Sequence, residues 1–185
     1  MGYWDSIGAT DAEYIDLTNE YIAQGMPLWP SGVVRFRIVR TWQSLIVATD
    51  GMSDLGCELF VEIPQASGWM RLQVTTQWEF AILRSLAFRT SPLPDDMPIV
   101  MPVPAVRGAP TTHYAQLDGT PVNAAIIGME VPGRPPRDDN RTRFLPVTPI
   151  SAAEFVHIFD DGLSALDDVV AARVDRGVYH LAVAS

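Results

Sequence analysis

Leu45-Ile46-Val47-Ala48-Thr49-Asp50-Gly51-Met52-Ser53-Asp54, followed after Leu55-Gly56 by Cys57-Glu58-Leu59-Phe60-Val61-Glu62-Ile63-Pro64, sets an Asp-Gly reversal between two strand-like apolar runs. Glycine reaches positive φ at no steric cost, so Asp-Gly in this setting signals a turn of the chain. The stretch between the runs is too long for a two-residue hairpin and predicts a broader polar loop. Leu45, Ile46, Val47 and Ala48 are apolar on both parities, as in a central strand covered on both faces. The second run alternates, with Cys57, Leu59, Val61 and Ile63 on one face and Glu58, Phe60 and Glu62 on the other. On this pattern Glu58 and Glu62 belong to a wet face. Cys57 belongs to the core as a small buried residue, not a nucleophile. Pro64 ends the run because it has no N–H for a ladder.

Upstream, Val34, Phe36 and Ile38 alternate with Arg35, Arg37 and Val39, which predicts a neighbouring strand with one buried face. Before it, Thr10-Asp11-Ala12-Glu13 has the form of a capping box. Tyr14, Leu17, Tyr21 and Ile22 follow at helical spacing before Gly25 and Pro27, so an amphipathic helix is expected from Thr10 to Gly25. Downstream, a second box, Thr76-Gln77-Trp78-Glu79, opens the most apolar helical stretch. Its Trp78, Ala81, Ile82 and Leu86 stripe is widened by Phe80, Leu83 and Ala87, so this helix packs inside the domain. Residues 92–149 hold twelve of the fifteen prolines, which excludes long helices there. Short strands are expected at 99–103, 113–117, 123–131 and 143–147, and residues 134–143 read as a solvated spacer. A third box, Ser151-Ala152-Ala153-Glu154, begins a helix carrying Phe155, Ile158 and Phe159. Asp161-Gly162 breaks it, and a second helix runs from Ser164 through Leu166, Val169 and Val170, with an edge strand expected at 178–183. The residues therefore describe one α/β domain spanning 1–185.

The chain has 185 residues, 48% hydrophobic and 19% charged, values of a folded globular domain with a sizeable core. Its net charge of −9 gives no electrostatic reason to seek phosphate backbones and points to basic or neutral protein surfaces, not nucleic acid. All 13 basic residues are arginine, which removes lysine Schiff-base chemistry and the lysine of a phosphate-binding loop. One cysteine, Cys57, rules out an intrachain disulfide and a multi-cysteine zinc site. With no basic-then-apolar leader and no apolar run long enough to span a bilayer, no membrane is expected and the cytoplasm is the expected compartment.

The case for catalysis is thin. His113, His157 and His180 are scattered, each without a motif around it. Glu154 and His157 have the Glu-x-x-His spacing of carboxylate-bridged metal sites, but those sites need a second copy and two further carboxylates. Ser53 beside Asp54 lacks the Gly-x-Ser-x-Gly elbow, and both residues are expected to bond their own backbone in a turn. Asp50, Asp54 and Glu58 do not follow the every-second-residue spacing of a calcium loop. No glycine-rich dinucleotide or phosphate loop is present, so no cofactor or metal is expected.

Taken together, the Thr49-Asp50-Gly51-Met52-Ser53 loop, the Glu58-Leu59 strand and the helix from Trp78 to Ala87-Phe88 make an ordered set of motifs, which Pro149-Ile150-Ser151-Ala152-Ala153-Glu154 and the closing Val174-Asp175-Arg176 complete. The set resembles the suppressor of fused domain family over most of residues 40–176. The resemblance implies an α/β (α+β) sandwich, a mixed, largely antiparallel central sheet with helices packed on it. Animal members restrain a transcription factor and carry a further carboxy-terminal domain, which is not carried over to this chain. Its likeness is to bacterial single-domain members, some of which are thought to be immunity proteins against polymorphic toxins.

The expected function is thus non-catalytic protein binding, with neutralisation of a basic toxin domain as the particular role. Asp50, Ser53, Asp54 and Glu58 are the candidate partner-binding residues. Two alternatives stand beside it. One is a hydrolase-type site at the loop from Asp50 to Asp54, with His113 or His157 brought in from elsewhere. The other is a scaffold that accepts a partner strand at a sheet edge, where prolines are tolerated.

Overall fold

Ser44–Thr49 (β3) has every residue buried, so both of its faces are covered. It lies inside a nine-stranded sheet of a computed structural model that describes residues 3, 4, 7, 8, 13–42, 44–64, 66, 68–88, 93, 94, 97–106, 115–117, 120–132, 138, 139, 142–177 and 179, with backbone alone at 115–117, 120–123, 138 and 139. The remaining strands are Tyr14–Asp16 (β1), Arg35–Arg40 (β2), Cys57–Pro64 (β4), Ile99–Pro104 (β5), Ala115–Leu117 (β6), Thr120–Ile127 (β7), Asp138–Asp139 (β8) and Thr142–Ile150 (β9). The sheet runs β1-β2-β3-β4-β9-β7-β5, with β6 on β7 and β8 on β9. β4 and β9 pair in parallel, Leu59 opposite Leu145, and the other strand pairs are antiparallel. The mixed, largely antiparallel sheet expected above is what the chain forms.

Strand alternation divides the core between two faces. Leu45, Val47, Leu59, Ala125 and Ile127 join one cluster, covered by Thr18–Gln24 (α1), Arg71–Thr75 (α2) and Trp78–Ala87 (α3) through Tyr21, Val74, Phe80 and Leu83. On the opposite face Ala124, Ile126 and Ile150 meet Ala152–Asp161 (α4) and Leu163–Asp175 (α5) through Phe155, Ile158, Leu166 and Val169. The rest of that face, Ile46, Ala48 and Phe60, is covered by Tyr3 and Trp4. The result is an α+β sandwich with helices on both sides of the sheet. No helix among the described residues is long and apolar enough to cross a membrane.

The capping box at Ser151 forms as expected, and Thr10 to Ala12 of the first expected box lie outside the described residues. Ser151 Oγ accepts from the Glu154 N–H at 3.2 Å, and the Glu154 carboxylate accepts from the Ser151 N–H at 2.8 Å. Gly162, at φ 76°, then separates α4 from α5. The first expected helix begins later, at Thr18. Tyr14–Asp16 extends beside β2 instead, Ile15 opposite Phe36, and Asp16 accepts from the Thr18 N–H at 2.9 Å. Glu13 is drawn to Arg40 at 2.7 Å. Three residues are too few for periodicity to separate helix from strand, and burial of Ile15 against the sheet decides it. At the second box Thr76 donates back to the Gln73 carbonyl, so α3 starts without a side-chain cap. Burial pushes the Glu79 carboxyl above its ordinary range. The expected strand at 178–183 lies outside the described residues apart from Tyr179.

Candidate functional site

The loop between β3 and β4 is built around a carboxylate. Glu58 is 6% exposed, so it belongs to the interior, not the wet face its alternation predicts. Its carboxylate accepts from the Thr49 hydroxyl, the Gly51 N–H at 3.1 Å and the Met52 N–H at 2.9 Å. The loop folds back over the side chain, and strand parity carries no trace of that cover. Burial pushes the Glu58 carboxyl above its ordinary range, opposed by the Thr49, Gly51 and Met52 donors. A one-turn 3-10 helix, Ser53–Leu55, closes the loop and Gly56 returns the chain at φ 80°. Cys57 is buried and its thiol is pushed up to about 11 by burial, so it carries no thiolate nucleophile at neutral pH.

Gly51 is held at φ 144°, and a Cβ there would lie 2.8 Å from Ser31 Oγ and 3.2 Å from Trp29. Gly51→Ala is therefore expected to cost about 1–3 kcal/mol, the usual range for a residue forced into glycine-only backbone. Thermal unfolding checks this; an unchanged midpoint would mean the loop relaxes freely around the methyl.

Asp50 is taken up by β2. Arg35 Nε approaches it at 3.0 Å and Arg37 at 3.7 Å, while the Tyr14 ring lies under both guanidinium groups at 4.7 and 5.3 Å. Of the four candidate residues, then, Asp50 and Glu58 hold the loop, and Ser53 and Asp54 stand exposed at its tip. His157 is on α4 and pairs with Asp161 at 2.8 Å. Glu154, its partner in the Glu-x-x-His spacing, is engaged by Ser151 and Arg173. His113 and His180 lie outside the described residues. Among the described residues no cluster of His, Cys, Asp or Glu has the makings of a metal site.

A different place offers a binding surface. Where α4 meets α5, Phe159 is 65% and Leu163 79% exposed. Both line a hollow of about 460 Å³ whose other wall is β5, the last strand of the sheet among the described residues, through Ile99 and Pro102, with Pro98 just before it. A second hollow, about 570 Å³, continues from Pro98 toward Met97, Gly128 and Glu130. Leu163 and Leu166 line the first, Val170 and Val174 the second, so one stripe of α5 borders both. Asp167 is exposed beside this stripe, with no ion pair among the described residues.

The sequence places Phe159 on one helix with Phe155 and Ile158 and does not by itself mark it as exposed. Phe155 and Ile158 already fill the inward face, and that surplus was the available signal. Comparison with protein-family models, curated proteins and solved structures gives no match to this chain.

Proposed function

We propose that this chain is a non-catalytic protein-binding domain of the suppressor of fused type, acting through the face where α4, α5 and the β5 edge meet. The observation that carries the reading is the pair Phe159 and Leu163, large apolar side chains left in water beside an apolar hollow. Such patches on a folded domain mark interaction surfaces, and large buried anchors dominate binding energy. A hydrolytic site at the Asp50 loop has less support, because the carboxylates of Asp50 and Glu58 are engaged by Arg35 and by loop donors.

Neutralisation of a toxin with a basic active surface is the particular role favoured. A net charge of −9, with Asp167 beside the apolar face, steers cationic partners toward it. The test is affinity capture from the native host, then co-expression of the captured protein, or of a toxin-like domain encoded just upstream, with this chain. Restored growth of cells carrying the toxin-like domain is the expected result. Capture that retains no protein reproducibly would remove the binding reading, and capture without growth rescue would remove the neutralising role alone.

A further inference from the structure

The walls of the α5–β5 groove restrict what lies in it. Pro102 and Pro104 share a parity on β5, and neither has an N–H to give β7. The rungs to β7 therefore fall on Ile99, Met101 and Val103, and the opposite parity faces outward. Between positions 98 and 104 that outward parity is Pro98, Val100, Pro102 and Pro104, which offers one N–H, from Val100. A partner strand added to this edge would leave most of its carbonyls without donors in an apolar setting, at a cost of roughly 1–3 kcal/mol each. A helix brings its own backbone hydrogen bonds and needs none from the wall.

The groove also has the dimensions of a helix. Its α5 border runs from Leu163 to Val174, about 16 Å at a rise of about 1.5 Å per residue, or three helical turns. Its floor is apolar, and its α5 rim is acidic at Asp167, one turn after Leu163 and one turn before Val170. The far hollow is lined by one charge of each sign, Glu130 and Arg143, the latter donating to the Pro94 carbonyl at 3.2 Å.

Resting on the protein-binding reading above, we propose that the groove receives an amphipathic α-helix of the partner protein. It has apolar residues at i, i+3 or i+4, and i+7 against the stripe from Leu163 to Val174, and a flanking lysine or arginine meets Asp167. Helix-in-groove recognition of this form reads apolar anchors at one-turn spacing. Opposite rim charge sets on-rate and selectivity.

Three synthetic peptides of equal length test the occupant: a leucine–lysine sequence with helical periodicity, its leucine–glutamate counterpart, and a leucine–lysine sequence with strict strand alternation. Each is titrated into the isotope-labelled full chain, and amide shifts are mapped. The helical leucine–lysine peptide is expected to bind most tightly, moving amides of β5 and of residues 159–174. The variant carrying both Phe159→Ser and Leu163→Ser is expected to bind it at least tenfold more weakly, with an unchanged thermal midpoint. Trp42→Ser, which removes another large side chain in water, 85% exposed, is expected to bind it as wild type does. Equal binding of the alternating peptide, or shifts centred elsewhere, would overturn the proposal. Repeating the host capture with the Phe159, Leu163 variant separates the two claims. A partner lost by this variant supports the groove, and a partner retained equally well sinks the groove while leaving protein binding intact. No partner for wild type sinks both.

Discussion

Arg173→Met is expected to destabilise the chain by about 3–5 kcal/mol, the usual result of removing one member of a buried ion pair. For a chain of this size that corresponds to roughly 6–20 °C in Tm. Arg173 is 2% exposed and grips Glu154 with two bonds, Nε to Oε1 at 2.8 Å and Nη2 to Oε2 at 2.7 Å. The same carboxylate caps α4 through the Ser151 N–H, so one group joins the start of α4 to the last turn of α5. Methionine keeps the apolar stem and leaves Glu154 charged, partly buried and without its cation. The double variant Glu154→Gln, Arg173→Met keeps a cap acceptor without the orphan charge and is expected to recover at least half of the loss. A single-variant loss below about 1 kcal/mol would mean the pair behaves as an exposed one.

The pair also has a pH signature. Burial acts to raise the Glu154 pKa, but the Arg173 guanidinium and the Ser151 donors outweigh it and hold the carboxyl below its ordinary value of 4.5. A depressed folded pKa contributes stability above the unfolded value, lost as pH falls through the folded one. The gap between wild type and Arg173→Met should therefore be full at neutral pH and narrow as the solution is acidified. Urea titrations across that window measure the gap directly.

What could be read from the sequence follows from where the cover comes from. β3 was visible because burial on both faces writes apolar residues at both parities, Leu45 through Ala48. The Ser151 and Glu154 box was visible because both members of the motif are local. Glu58 was misplaced because its cover is the returning loop at Gly51 and Met52, which alternation along β4 does not record. α2 went unexpected because five residues with Val74 alone buried have no period to detect. The groove was missed for a related reason. Its walls, β5 and α5, lie more than fifty positions apart, and only the sheet order sets them side by side. The prolines of β5 were legible as edge-strand residues. That they strip donors from the side turned away from β7 needed the register with β7.

Glu58→Ala is expected to cost about 3 kcal/mol, because it strands the Thr49 hydroxyl and the Gly51 and Met52 N–H groups inside the loop. That is roughly 6–12 °C in Tm for a chain of this size. Removing a buried carboxylate also relieves its own desolvation, which is why the loss stays below the sum of three charge-assisted bonds. Glu58→Gln retains one oxygen acceptor and should lose about half as much. Its pH response runs opposite to that of the Arg173 variant. The folded pKa of Glu58 is raised, by burial first, so its proton-linked contribution is fully present below the unfolded value of 4.5 and is lost as pH rises through the folded value. Wild type should therefore gain on Glu58→Gln as the solution is acidified toward pH 4.5, while its margin over Arg173→Met shrinks on acidification. Two carboxylates of one fold with stability slopes of opposite sign are a stringent check on both assignments. If both gaps move in the same direction, the Glu58 carboxylate is not enclosed by the loop, and Asp50, Ser53 and Asp54 return as members of a solvent-accessible site.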